Sequence, residues 1–440
     1  MAYEIILGRE EKDRDKWGIQ GTVYLGKQYV KMGTTTALSQ PVYLDLNRAH
    51  VVFVCGKRGT GKSYALGVIA EGIATLPEDI RNKFSVILLD TMGVYWTMKY
   101  SNRKELGMLK TWGLEEASVS NMKIFTPIGF YDIYKEKGIP TDVPFAIRPS
   151  ELSPEDWYVT FDLTQNDPIA VMIEQVILEL KKSMGEKYGI QDIIDSINEM
   201  DEEVHVKQAA INRFKSANTW GLFSEKSTPM ADLAQGGQVT VLDMSPYAMM
   251  PNGWKIKNLA IGLVANKLFI ERMKFRKDEE FHNIKGAVHY ILPEEKVENT
   301  MPSIWLMLDE AHEMLPLNGS TAATPALITL LREGRQPGIA LVLATQQPGM
   351  IHTDAMTQSD IILAHRLTAK IDTDALGNLL QSYMRAGLDK LYAELPSCAG
   401  ACLAMDDVNE RIYPIQIRPR FSWHGGSAPD LLKEKKKLFG

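Results

Sequence analysis

Apolar runs interrupted by glycine and charge recur along this chain, and their lengths separate strands from helices. Val51–Cys55 is five apolar residues in a row, ending at Gly56, the pattern of a strand buried on both faces. Behind it, Leu66, Ile69, Ala70 and Ile73 keep helical spacing, so Tyr64–Ala74 reads as a helix. Phe84–Leu89, Gln238–Met244, Ile304–Leu308 and Ile339–Ala344 repeat the buried-strand pattern, and Leu327–Arg332 is helical. Between the second and third of these strands the character changes. Glu151–Asp156 carries a helix start with proline in its first turn, and Ile169, Met172, Ile173, Val176, Ile177 and Leu180 form one apolar helical stripe. Residues 190–197 and 206–214 repeat that pattern, which predicts a mostly helical insertion over 106–235. Leu259–Phe269 predicts a helix running on into the basic Arg272–Lys277, and the polar stretch Phe281–Met301 predicts an irregular loop. Ahead of everything, Glu4–Leu7, Gly21–Leu25, Tyr29–Met32 and Pro41–Leu46 predict a small β-rich region, with Arg9–Lys16 as a solvated charged loop.

Composition narrows the function without choosing it. Hydrophobic residues at 45% and charged residues at 24% over 440 residues suit a globular chain of two or three domains. A net charge of −6 argues against a surface that coats nucleic acid, so any such contact is local, in a channel or on a few loops. Cys55 lies in a buried strand, and Cys398 and Cys402 have no second pair beside them, so neither a disulfide framework nor a metal site is expected. The first residues carry charge from Glu4 onward and no apolar run approaches a bilayer span, which leads us to expect a cytoplasmic protein without a membrane.

The chemistry starts where the first buried strand stops. Gly56-Lys57-Arg58-Gly59-Thr60-Gly61-Lys62-Ser63 meets every fixed position of G-x-x-x-x-G-K-[ST], between a strand and a helix as a phosphate-binding loop requires. Glycines let the backbone turn its N–H groups inward, and the helix N-terminus adds positive potential. Gly56, Gly59, Thr60, Gly61, Lys62, Ser63 and Tyr64 form the expected nucleotide contacts, with Lys62 reaching the phosphates and Ser63 ligating Mg. Asp90 closes the second strand, where a polar residue faces the crevice of an open α/β sheet or caps the next turn.

A second constellation follows Ile304–Leu308. Asp309 and Glu310 end an apolar strand, which suits a carboxylate that holds Mg beside a general base that polarises water. Thr345-Gln346-Gln347 ends the next strand, and Gln346 is positioned to sense the γ-phosphate. Arg332 and Arg335 share a helix face and, in a ring, could neutralise charge on a neighbour's nucleotide; Arg366 is a further candidate. Aromatic and basic residues around Tyr95, Trp96 and Lys99–Lys104 are candidate contacts to a polymer in the pore.

In this order the motifs resemble the HerA family of hexameric DNA-translocating ATPases, near FtsK and the conjugation ATPases of the RecA-like group. Asn47–His50 leads into the phosphate loop as in that family. Leu306–Pro316 (LMLDEAHEMLP), Leu331–Pro348 (LREGRQPGIALVLATQQP), Gly400–Ala404 and Arg418–Gly426 (RPRFSWHGG) are similar to its later motifs. The resemblance covers about residues 42–427 and implies an α/β fold: a RecA-like P-loop ATPase core with a helical insertion and a short β-rich N-terminal region. It divides the chain into 1–47, a reduced barrel, core segments 48–105 and 236–420 around the insertion 106–235, and a tail 421–440. It further implies a homo-hexamer using ATP and Mg, with duplex DNA in the pore and a nuclease or other effector as partner. Glu310, Gln346, Arg332 and Arg335 would be its catalytic residues, with Arg48 as an alternative trans-acting arginine. A scaffold that assembles or gates an effector complex without moving DNA is the alternative. Two departures stand out: 47 residues precede the core where the family carries a complete β-barrel, and the turn after the second strand reads Asp90-Thr-Met-Gly93-Val94, lacking the family's second acid.

Overall fold

Val51–Cys55 has no polar face to offer water, and the fold answers by placing it inside a sheet covered on both sides. The computed structural model describes residues 4–32, 35–289, 301–379, 390–392 and 394–426. Its first strands are β1 (Ile5–Leu7), β2 (Thr22–Met32), β3 (Thr35–Asp45), β4 (Val51–Cys55) and β5 (Phe84–Asp90). Then come β6 (Met122–Pro127), β7 (Val143–Phe145), β8 (Val239–Asp243) and β9 (Ser303–Leu308). The last are β10 (Ile339–Thr345), β11 (Ile361–His365), β12 (Ala401–Asp406) and β13 (Arg411–Ile417). All thirteen form one sheet in the order β1-β3-β2-β13-β12-β11-β4-β10-β9-β5-β8-β6-β7.

The sheet is mixed: a long parallel run from β11 to β7 adjoins an antiparallel stretch from β3 to β11. β4 lies between β10 and β11, parallel to both, and β9, β5, β8 and β6 continue the parallel run. The C-terminal ends of β4, β10, β9 and β5 therefore meet along one edge, where open α/β sheets carry their ligands. Val51, Phe53 and Cys55 point to one apolar layer, and Val52 and Val54 to the other, as the two-residue period of a strand demands. The helix Lys62–Ala74 covers the second layer, burying Leu66, Ile69 and Ile73. The first is covered by Gly253–His289, Thr324–Glu333 and the helices of the insertion, whose own core gathers Trp157, Phe161, Phe214 and Phe223.

Three sequence expectations need correction. Residues 1–47 make no separate barrel; β2 pairs antiparallel with β13, so this region continues the core sheet. Arg9–Lys16 is not a solvated loop, because Glu11–Trp17 is helical and Arg9 is buried against Asp45, donating also to the carbonyls of Gly18 and Gln20. The helix expected over Leu259–Phe269 runs from Gly253 to His289, so it takes in much of the segment read as a loop; residues 290–300 lie outside the described ones. The segment 106–235 also supplies β6 and β7 to the sheet edge, alongside its helices.

At the edge opposite the ligand-bearing one, His50 is buried between two carboxylates, 2.6 Å from Asp360 and 3.1 Å from Asp45. Burial alone would lower its pKa, but the hydrogen bonds to Asp360 and Asp45 outweigh it and raise it from 6.5 to about 9. A folded-state pKa above the unfolded one stabilises fully below pH 6.5 and is lost as pH rises through about 9. Unfolding free energy should fall by on the order of 3 kcal/mol across that window. Urea melts of wild type and His50→Gln check this, and parallel pH slopes would remove His50 as the cause.

Candidate functional site

Beyond β4 the chain must turn sharply enough to point its amides inward. Gly56 sits at φ +156°, and a Cβ there would come 2.6 Å from the Cβ of His365, so only glycine fits. Neighbouring strand ends clamp the loop: Gly56 N–H donates to Thr345 O (3.3 Å), Lys57 N–H to Arg366 O (3.0 Å) and Gly400 N–H to Thr60 O (2.9 Å). Thr60 donates its hydroxyl to Lys57 O at 2.8 Å, folding the loop on itself. Lys62 opens the helix, is 5% exposed and donates to Lys57 O at 3.2 Å. Burial lowers its pKa, while Glu310 and Asp309 oppose the shift. His365, wholly buried behind the loop, is pushed down to about 4 by burial, so it is neutral there.

β9 brings the acids. Ser63 donates its hydroxyl to Asp309 Oδ2, and the Tyr95 hydroxyl reaches the same oxygen at 3.2 Å. Glu310 takes the left-handed conformation at φ 51°, ψ 44°, which costs on the order of 1 kcal/mol for a residue with a side chain. That turn carries its carboxylate toward the end of β10, where Gln346 Nε2 donates to Glu310 Oε1. Glu310 Oε2 is buried with no hydrogen-bond partner among the described residues. Burial raises the Glu310 pKa and Asp309 adds to it, while Gln346 and Lys62 pull the other way. His312 Nδ1 lies 3.6 Å from that oxygen, and a partly buried carboxylate with one oxygen outside any hydrogen bond and a raised pKa suits proton abstraction from water.

Mg fits this donor set. A serine hydroxyl on a carboxylate oxygen is the hard-oxygen chemistry Mg takes, with phosphate oxygens and water completing its shell. Among the described residues no group of three or more His, Cys, Asp or Glu forms a metal site by itself, so the ion would depend on bound phosphate. Ser63 and Asp309 would hold it, and it would supply charge neutralisation between phosphates.

The remaining sequence candidates fall in different places. Tyr64 stands beside the loop with its ring edge on His424 and its hydroxyl donating to Glu105 at 3.0 Å and accepting from Arg420 N–H. Asp90 caps its own turn, accepting from Met92, Gly93 and Tyr95 N–H groups; burial raises its pKa to about 7, with Asp243 adding to the shift. Arg366 follows β11 at the loop edge of the sheet, on the same side as the phosphate loop. Arg332 and Arg335 precede β10, at its other end, about 20 Å from the loop at ~3.3 Å per strand residue. They are about half exposed and held by Asp354 and Asp360. Arg48 and Arg335 line one cleft of about 970 Å³ at that far edge, with Lys83, Arg272 and Arg276. No arginine of this group can reach the phosphate loop of the same chain.

Tyr95 is the residue sequence reading misplaced. Read as a pore contact, it is 1% exposed and bonded to Asp309. The signal was the turn before it: Asp90 takes the N–H of Tyr95 itself at 2.8 Å, which swings the ring inward.

A strand–glycine loop–helix beside an Asp-Glu strand and a glutamine-ended strand, on one parallel sheet, defines the P-loop ATPase class with a RecA-like core. The particular family follows from comparison. Residues 30–260 match the model of the helicase HerA central domain, more than half of the chain, and the protein belongs to that family. A probable DNA double-strand break repair helicase HerA from Methanocaldococcus jannaschii is 28% identical over 143 residues, 31% of this chain and 27% of that protein. The matched stretch is thus well under a third of that relative's length. In fold, the chain is similar to VirB4 of Thermoanaerobacter pseudethanolicus, with a TM-score of 0.51 and 13% identity over 91% of this chain and 97% of the other. Among the described residues no helix is long and apolar enough to cross a membrane.

Proposed function

We propose that this protein hydrolyses ATP with Mg as a ring, homo-hexameric in the first instance, and uses the cycle to move duplex DNA through its centre in the cytoplasm. A partner nuclease or other effector would act on the DNA it delivers. The observation that carries the reading is the division of labour between the two edges of the sheet. Lys62, Ser63, Asp309, Glu310 and Gln346 gather at one edge, and the arginine-lined cleft with Arg335 and Arg48 lies at the other. A head-to-tail ring sets the second edge of each subunit against the first edge of the next. Phosphate is then bound in cis, water is activated by Glu310, and the developing charge is neutralised in trans by an arginine. Membership of the HerA central-domain family supports DNA as the cargo.

The test is the ATPase rate with and without duplex DNA at rising salt, alongside the mass in solution with ATP and Mg. DNA should stimulate hydrolysis severalfold at low salt, and the stimulation should fall steeply as salt competes for the phosphates. A ring whose rate ignores DNA at every salt would replace translocation with a scaffold that assembles or gates an effector.

A further inference from the structure

Next to the site, one stretch of chain shows aromatic rings to solvent where a core would hide them. Tyr95 turns inward to Asp309, Thr97 and Met98 are buried, Trp96 is half-buried and Tyr100 is exposed. Trp96 and Tyr100 meet edge to face at 6.2 Å, on the short helical turn Trp96–Lys99. From the other end of the chain, Trp423 joins them: its carbonyl accepts from the Thr97 hydroxyl at 3.0 Å, and its N–H donates to Tyr100 O at 2.7 Å. Together with Thr97, Ser101 and Arg103 these rings line an open cleft of about 610 Å³. Tyr100 is 52% and Trp423 38% exposed. Arg103 and Lys104 are exposed beside the rings and form no ion pair among the described residues, while Lys99 is held by Asp142.

We propose that the Trp96–Tyr100–Trp423 cleft binds an unpaired base of single-stranded DNA, with its phosphates against Arg103 and Lys104. Flat rings open to solvent, with cations at their margin, match the base-and-phosphate alternation of a single strand and its polyanionic backbone. Duplex bases are stacked on each other and cannot enter such a cleft. The chain's net charge of −6 means that this local positive margin is not a general property of the surface. The inference goes beyond the DNA-motor reading and rests on it only in taking DNA as the cargo, because it names an unpaired segment held beside the nucleotide site in addition to the duplex in the centre.

The experiment is fluorescence anisotropy of labelled oligothymidylate and labelled duplex with the full chain, comparing wild type, Tyr100→Ala, Trp423→Ala and Arg103→Ala. Each aromatic substitution should weaken oligothymidylate binding about tenfold, and melting temperature and affinity for a fluorescent ADP analogue should stay unchanged. Quenching of tryptophan emission by oligothymidylate, reduced in Trp423→Ala, is the second expected signal. Unchanged oligothymidylate binding in both aromatic variants would overturn the inference, as would duplex binding by wild type with no oligothymidylate binding; the motor reading survives either result. Binding of neither nucleic acid would overturn both.

Discussion

Glu310→Gln is expected to bind nucleotide as wild type does and to hydrolyse it about a hundred- to ten-thousand-fold more slowly, the range for loss of a positioned general base. The amide keeps the shape but cannot take a proton. In the proposed mechanism Glu310 acts in its ionised form, and with its pKa raised by burial the acidic fall in wild-type turnover should come at a higher pH than an unperturbed glutamate would give. Steady-state rates over pH, with fluorescent nucleotide titrations, read both quantities. Turnover within tenfold of wild type would move the base elsewhere. The same variant serves as a partner for Arg335→Ala: in mixed rings, a Glu310→Gln subunit still supplies its arginine to a neighbour whose own base is intact. Activity regained on mixing is the expected result, and mixed rings that stay inactive would argue against Arg335 acting across the interface.

The second large effect is on stability. Glu71, 0% exposed in the middle of the helix that starts at Lys62, is met by the C-terminal segment around Arg418–Ser422. Arg418 Nη1 donates to Glu71 Oε1 at 2.6 Å, and the Ser422 hydroxyl and N–H donate to Oε2 at 2.6 and 3.1 Å. Phe421 N–H donates to Oε1 at 3.2 Å, and Arg420 lies 3.8 Å from Oε2. Gly67 makes room, since a Cβ there would stand 2.4 Å from an Arg420 nitrogen. Glu71→Ala leaves two buried guanidinium groups without their counter-charge and should cost about 3–5 kcal/mol. Urea unfolding followed by tryptophan fluorescence measures it. A loss under about 1 kcal/mol would mean that the arginines recover water or other partners.

What the sequence discloses here depends on how local the cause is. β4 falls on Val51–Cys55 as read, because five apolar residues before a glycine loop admit few other structures. The meeting of Glu310 with Gln346 was legible from two strand ends alone, since parallel neighbours bring their C-terminal ends together. The inward turn of Tyr95 has a cause only five residues away, its own N–H donating to Asp90, and the aspartate at the strand end was the local signal for it. Arg9 looked solvated because it opens a run of charged residues, but its partner Asp45 is 36 positions away on β3. Likewise, nothing near Glu71 marks it as an ion-pair centre, as Arg418 is 347 positions downstream. Tyr64 carries the same lesson: next to Ser63 in sequence, its hydroxyl serves Glu105 and Arg420.

The Glu71 cluster also sets a clock on synthesis. A nascent chain has made the phosphate loop and its helix long before it makes Arg418, and at about 5–20 residues per second the 347 intervening positions take roughly 20–70 s. Throughout that interval Glu71 is an acid without its arginines on a helix that otherwise belongs to the core. The helix behind the phosphate loop is therefore expected to settle only once residue 418 has been made, later than its place in the chain suggests.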